Sequence, residues 1–123
     1  MAEIVHKQLS YDVVGRAQRV HSALGPGFPK VVYHKALCRE LMKAGIPFDS
    51  EKGAEVFYDG VLCGEFRMDI VVDSKIVLEL KALAGLTDDH LAQAMSYLKA
   101  TALKLAILIS FGAKTLERRR VVR

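Results

Sequence analysis

The 123-residue chain reads as one mixed α/β domain, a sheet with helices packed on it, in the order αα–βββ–α–β. Three observations lead there. Up to Gly45, apolar residues recur at helical spacing. From Pro47 to Leu83 the pattern is that of strands broken by two turns. After one more helical stretch, Leu103 to Phe111 is a near-continuous apolar run, as in a strand buried on both faces.

Each element has its own local cause. Ser10 to Leu24 is expected as a first helix, with Val13, Ala17, Val20 and Leu24 on one face. Gly25-Pro26-Gly27 stops it. Pro29 suits the first turn of a second helix, where its missing N–H costs nothing. That helix runs to about Ala44, with Tyr33, Leu37, Leu41 and Ala44 facing inward. Pro47 to Tyr58 reads as a strand or irregular edge segment. Asp59-Gly60 is a hairpin turn, Val61 to Val72 a long strand, Asp73-Ser74-Lys75 a turn, and Ile76 to Leu83 the next strand. Thr87 caps a third helix from Asp88 to about Ala100, with two acids in its first turn where the helix dipole favours them. The tail LERRRVVR is either a last edge strand or a frayed end. Repeats, linkers and low-complexity segments are absent from the sequence.

Composition narrows the class. The hydrophobic fraction is 51% and the charged fraction 26%, as in an ordinary globular protein. No apolar run approaches the roughly 20 residues of a membrane helix. The N-terminal stretch MAEIVHKQLSYD lacks the apolar core of a secretory signal, so the expected location is the cytoplasm. Cys38 and Cys63 sit among apolar neighbours without metal-ligand spacing, and both are expected as reduced, buried thiols. The net charge of +4 permits a polyanionic partner without requiring one.

The chemistry is concentrated in KIVLELKAL, Lys75 to Leu83. Glu79 and Lys81 lie two residues apart in an apolar strand and point to the same face. A three-residue turn centred on Ser74 places Asp69 of the preceding strand opposite Glu79; a two-residue turn would move it out of alignment. Opposed carboxylates are destabilising unless something positive joins them. A divalent cation between Asp69 and Glu79 would do so, since carboxylates and backbone carbonyls are ligands of Mg²⁺ and Mn²⁺. Lys81 beside it could orient or deprotonate a water and neutralise charge developing on a phosphate. On the third helix Gln93 and Tyr97, four residues apart, share a face that His90 extends as a polar stripe.

With GEFRMDIVVDSKIVLELKAL in view, Asp69 followed by Glu79-x-Lys81 resembles the PD-(D/E)XK nuclease superfamily, and Gln93-x-x-x-Tyr97 resembles the added motif of its exonuclease-type branch. More narrowly, GPGFPKVVYHKAL, the Gly64-Glu65-Phe66-Arg67-x-Asp69 stretch, LELKAL and LKATALKLAILISFGA resemble the small GxxExxY family of bacteria and archaea. The resemblance spans Val13 to Val121. It implies a restriction-endonuclease-like mixed β-sheet flanked by helices over residues 1–123. It also implies Mg²⁺- or Mn²⁺-dependent phosphodiester hydrolysis, with Asp69, Glu79 and the Leu80 carbonyl as metal ligands, Lys81 as catalytic lysine, and Gln93 and Tyr97 as active-site supports. Nucleic acid, DNA in particular, is the implied partner.

One position departs from the family pattern. Gly27-Phe28-Pro29-Lys30-Val31-Val32-Tyr33 carries Lys30 where the family has glutamate. Lys30 either reaches the site and pairs with Asp69 or Glu79 in the space of the cation, or snorkels to solvent. His34, one turn on, could offer a nitrogen. The competing function is therefore a nuclease fold kept as a nucleic-acid-binding or self-assembling module. Small size and free sheet edges suit a homo-oligomer. Arg118, Arg119 and Arg120, with Lys99 and Lys104, form either a phosphate-contacting surface or a solvated face, and the few aromatic residues are not interleaved with them.

Overall fold

A computed structural model describes residues 4–123. The first three residues, part of the N-terminal stretch discussed above, lie outside the described residues. Helices α1 (Lys7–Leu24) and α2 (Lys30–Lys43) are followed by strands β1 (Phe48–Tyr58), β2 (Val61–Val72) and β3 (Ile76–Lys81), helix α3 (Asp88–Thr101), and strands β4 (Leu105–Ser110) and β5 (Glu117–Val122). The five strands form one sheet in the order β1-β2-β3-β4-β5. Only the β3–β4 pair is parallel, because α3 carries the chain across between them; the other pairs are antiparallel. This is the mixed sheet flanked by helices expected from the sequence.

Two apolar layers hold the sheet. On one face Val13, Ala17, Tyr33, Leu37 and Leu41 of α1 and α2 pack on Ile70, Val72, Ile76, Leu78, Leu80, Leu105, Ile107 and Ile109. On the other, Ala94 and Leu98 of α3 pack on Met68, Val71, Val77, Ala106 and Leu108. β3 and β4 are covered on both sides, so their apolar residues run on without alternating.

The structure differs from the sequence expectations at several ends. α1 begins at Lys7, three residues early, after His6 in a left-handed conformation. β3 stops at Lys81, because Ser110 Oγ donates to the Leu83 carbonyl (2.6 Å) and turns the chain away from the ladder. The tail does not fray: β5 pairs with β4 from Glu117 to Val122, and Arg120 reaches Ser10 Oγ and the Val5 carbonyl, both at 2.7 Å. Cys63 is exposed on the β1–β2 hairpin, not buried, because that hairpin extends beyond the strands that cover the rest of β2; Cys38 is half-buried and its thiol pKa is pushed up by burial. Both thiols are free. No helix among the described residues is long and apolar enough to cross a membrane.

Gly112 follows β4 where the chain passes the Leu83 backbone. A side-chain carbon there would overlap the Leu83 peptide, so only glycine fits. Gly112→Ala is expected to destabilise the protein by about 1–3 kcal/mol, the usual cost of overpacking against backbone, as read from the denaturation midpoint in urea.

Candidate active site

The site forms where the sheet opens. The β2–β3 ladder runs from Val72↔Ile76 to Ile70↔Leu78, the register of a three-residue turn at Asp73-Ser74-Lys75, and then stops. On the other side, the β1–β2 ladder passes from Ser50↔Ile70 to Lys52↔Met68 and omits Glu51, which has a left-handed φ of 54°. Met68 and Val71, three apart, both belong to the layer under α3, so the side-chain alternation of β2 slips around Asp69. Both ladders lapse at Asp69, and two carboxylates take over their hydrogen bonds. The Asp69 N–H donates to Glu79 Oε1 (3.3 Å), and the Leu80 N–H donates to Asp69 Oδ2 (2.7 Å). The facing of Asp69 and Glu79 reasoned from the turn is therefore present.

Lys30 completes the cluster. Of its two possible placements the structure shows the inward one: Nζ lies 2.8 Å from Asp69 Oδ1, with the side chain still 43% exposed. Its position is fixed locally. Pro29 ends the extended entry to α2, and buried Tyr33, one turn in, donates its hydroxyl proton to the Gly25 carbonyl (2.6 Å) and accepts from the Phe28 N–H (3.1 Å). The Tyr33 ring stacks on Phe111 at 4.6 Å, which anchors the Gly25–Pro29 turn to the core. His34 Nε2 pairs with Ser50 Oγ at 2.7 Å.

Gln93 and Tyr97 project from the same face of α3, while Ala94 and Leu98 of that helix are buried. Tyr97 stacks on Phe66 of β2 (4.2 Å between rings, 8° between planes), a contact that spacing alone did not disclose. Burial, with Glu79 and Asp69 nearby, pushes the Tyr97 phenol pKa up, and Gln93 beside the hydroxyl opposes this. His90, on the same face of α3, has a further role that its spacing did not disclose. It closes a capping box with Thr87, its Nδ1 accepting the Thr87 N–H at 3.0 Å. Lys81 is half-buried, pairs in register with Ser110 of β4, and makes no ion pair among the described residues.

Glu79 is the electrostatic centre. It is 4% exposed, and burial followed by the charge of Asp69 pushes its pKa up from near 4.5 to about 8, despite the opposing pull of Lys30. The pair is thus under-neutralised: one ammonium serves two carboxylates in a site largely shut off from water. The oxygen donors, Asp69, Glu79 and the adjoining Leu80 backbone, suit a hard divalent cation. One Asp69 oxygen faces Lys30 and the other the Leu80 N–H, so such an ion would share Asp69 with Lys30 or displace it. No group of three or more His, Cys, Asp or Glu side chains gathers among the described residues.

The family comparison agrees with this geometry. The model of the PD-(D/E)XK nuclease superfamily matches residues 7–122. The chain belongs to the PD-(D/E)XK nuclease superfamily. Nucleases of that superfamily act on nucleic acids and generally use divalent metals. Among solved structures, the chain is similar to SSO0001, with a TM-score of 0.62 and 18% identity, over 75% of this chain and 48% of that one. The chain thus spans about half the length of SSO0001. It is also similar to an alkaline exonuclease (LHK-Exo) from Laribacter hongkongensis, with a TM-score of 0.51 and 10% identity, over 93% of this chain and 82% of that one. At these identities the likeness is one of fold. A comparison with curated proteins finds no match.

A carboxyl whose pKa is higher folded than unfolded binds more protons in the folded state between the two values, so stability falls as pH rises through that window. With a chelator present, the protein is expected to be most stable below about pH 4.5 as far as Glu79 is concerned, and to lose that contribution by about pH 8. Glu79→Gln is expected to flatten this limb of the curve. Urea titrations across that range check it; an unchanged slope would show that Glu79 ionises normally.

Proposed function

We propose that the chain is a single-domain nuclease of the GxxExxY type that hydrolyses phosphodiester bonds in DNA with Mg²⁺ or Mn²⁺. The observation behind this reading is the carboxylate exchange between Asp69 and Glu79 at the sheet opening, with Tyr97 and Gln93 over it. Asp69, Glu79 and the Leu80 carbonyl would hold the ion, which would supply Lewis-acid stabilisation of the phosphate and acidify a bound water. Lys81, on the face and strand of Glu79, orients the attacking water and offsets charge gathering on the phosphate oxygens. Tyr97, stiffened by the Phe66 stack, and Gln93 fix the α3 side of the site. Localisation in the cytoplasm and association into a homo-oligomer through free sheet edges belong to the same reading.

The ion pair at 2.8 Å favours a second reading, in which Lys30 silences the site and the fold serves as a nucleic-acid-binding or self-assembling module. Two experiments separate them. Purified protein with Mn²⁺ is expected to cut plasmid or linear DNA above the level of a Glu79→Ala control; equal, background cutting by both leaves the silent module standing. In calorimetric titration, Lys30→Glu and Lys30→Met are expected to bind Mn²⁺ about tenfold or more tightly than the parent, because a unit charge near 4 Å is worth about 1–4 kcal/mol at surface-like dielectrics. If the variants match the parent, Lys30 does not compete with the ion.

A further inference from the structure

A groove of about 700 Å³ runs between α2 and β1 and ends at Lys30 and Asp69. Its α2 wall is ordered by helical spacing. Val31, Lys35 and Arg39, each four residues apart, follow one line along the helix, and Met42 continues it. This stripe extends about 16 Å at the helical rise per residue. Phe48 contributes from the β1 wall.

Two properties of this surface bear on what it can hold. Neighbouring cations are spent on the protein itself: Arg16, Arg19 and Lys43 all pair with Glu40. Lys35 and Arg39, both exposed, pair with nothing among the described residues. Beside these two charges Val31 and Met42 line the groove with more than half of their surface exposed, while His34, Ser50 and Glu51 add polar groups to it. A double helix offers a polar backbone and hides the faces of its bases. A single strand offers phosphates and unstacked bases together, which matches two adjacent cations flanked by apolar side chains.

We propose that the α2–β1 groove is the track for a single strand of nucleic acid, with Lys35 and Arg39 on its phosphates, Val31, Met42 and Phe48 against its bases, and the strand leading to Asp69. The track deepens the nuclease reading, since it supplies the direction from which a strand enters that site, but its occupancy does not require cleavage. Lys30 stands where the track meets the acidic pair, so a phosphate arriving there is a second partner for its ammonium.

Anisotropy of a labelled single-stranded oligodeoxynucleotide of about ten residues, in chelator so that nothing is cut, tests the track. The single strand is expected to bind more tightly than the duplex of the same sequence. Lys35→Glu with Arg39→Glu is expected to weaken it about tenfold or more and to lower the salt slope by about 1.4, two contacts at 0.7 each for a single strand. Lys7→Glu with Lys114→Glu, the same charge change at exposed positions elsewhere, is expected to leave affinity near the parent's. If reversal disturbs α2 by circular dichroism, Lys35→Gln with Arg39→Gln probes the same contacts. No binding, tighter binding of duplex, or equal losses in both double variants overturns the track. Groove-dependent binding without cleavage would keep the track and sink the nuclease reading; normal cleavage and binding by the Lys35/Arg39 variant would do the reverse.

Discussion

Two backbone N–H groups govern the shape of this protein's centre. Where β2 parts from β3, the donors of Asp69 and Leu80 lose their ladder partners, and a buried donor without an acceptor costs about 1–3 kcal/mol. The chain meets that demand with carboxylates: Glu79 accepts from Asp69, and Asp69 from Leu80. The same two side chains therefore secure the split in the sheet and form the acidic pair of the candidate site. Removing either acid also orphans a backbone group.

The exchange leaves an electrostatic debt. Two acids in a dry opening raise the proton affinity of Glu79, and Lys30 relieves only part of it. Lys30 pays locally for its place, since a cation at the first residue of α2 opposes the helix dipole. Its stay there reflects the attraction of Asp69 and the fixed approach of the Gly25–Pro29 turn. The site is thus built around a demand for positive charge that the chain's own residues only half satisfy.

Much of this was legible in the sequence. Alternation put Glu79 and Lys81 on one face, and the three-residue turn at Ser74 put Asp69 across from Glu79, because both rest on short-range geometry. The lapse of the β1–β2 ladder at Glu51 was not legible, since it depends on how two long strands twist past each other. Lys30 was left between two placements: the family resemblance drew attention to it, but only the packing of α2 through Tyr33 and Phe111 decides the direction. Phe66 could have been suspected from GEFRMD, three residues before Asp69, yet its stack on Tyr97 needs the crossing of α3 over β2. Cys63 was misplaced because the apolar residues of the β1–β2 hairpin, Val56, Phe57, Val61 and Leu62, are exposed, against the ordinary rule for such side chains. The α2–β1 groove joins elements whose contact no local pattern encodes.

The Tyr33 clamp has a kinetic meaning. Its hydroxyl bridges Gly25 and Phe28 while its ring lies on Phe111, so the backbone entering α2 is held at three points. Lys30 hangs from that backbone by a half-exposed, four-carbon stem. A change of partner by its ammonium requires only side-chain torsions, which in exposed residues turn over in picoseconds to nanoseconds. The ammonium can therefore leave and regain Asp69 without any opening of the fold.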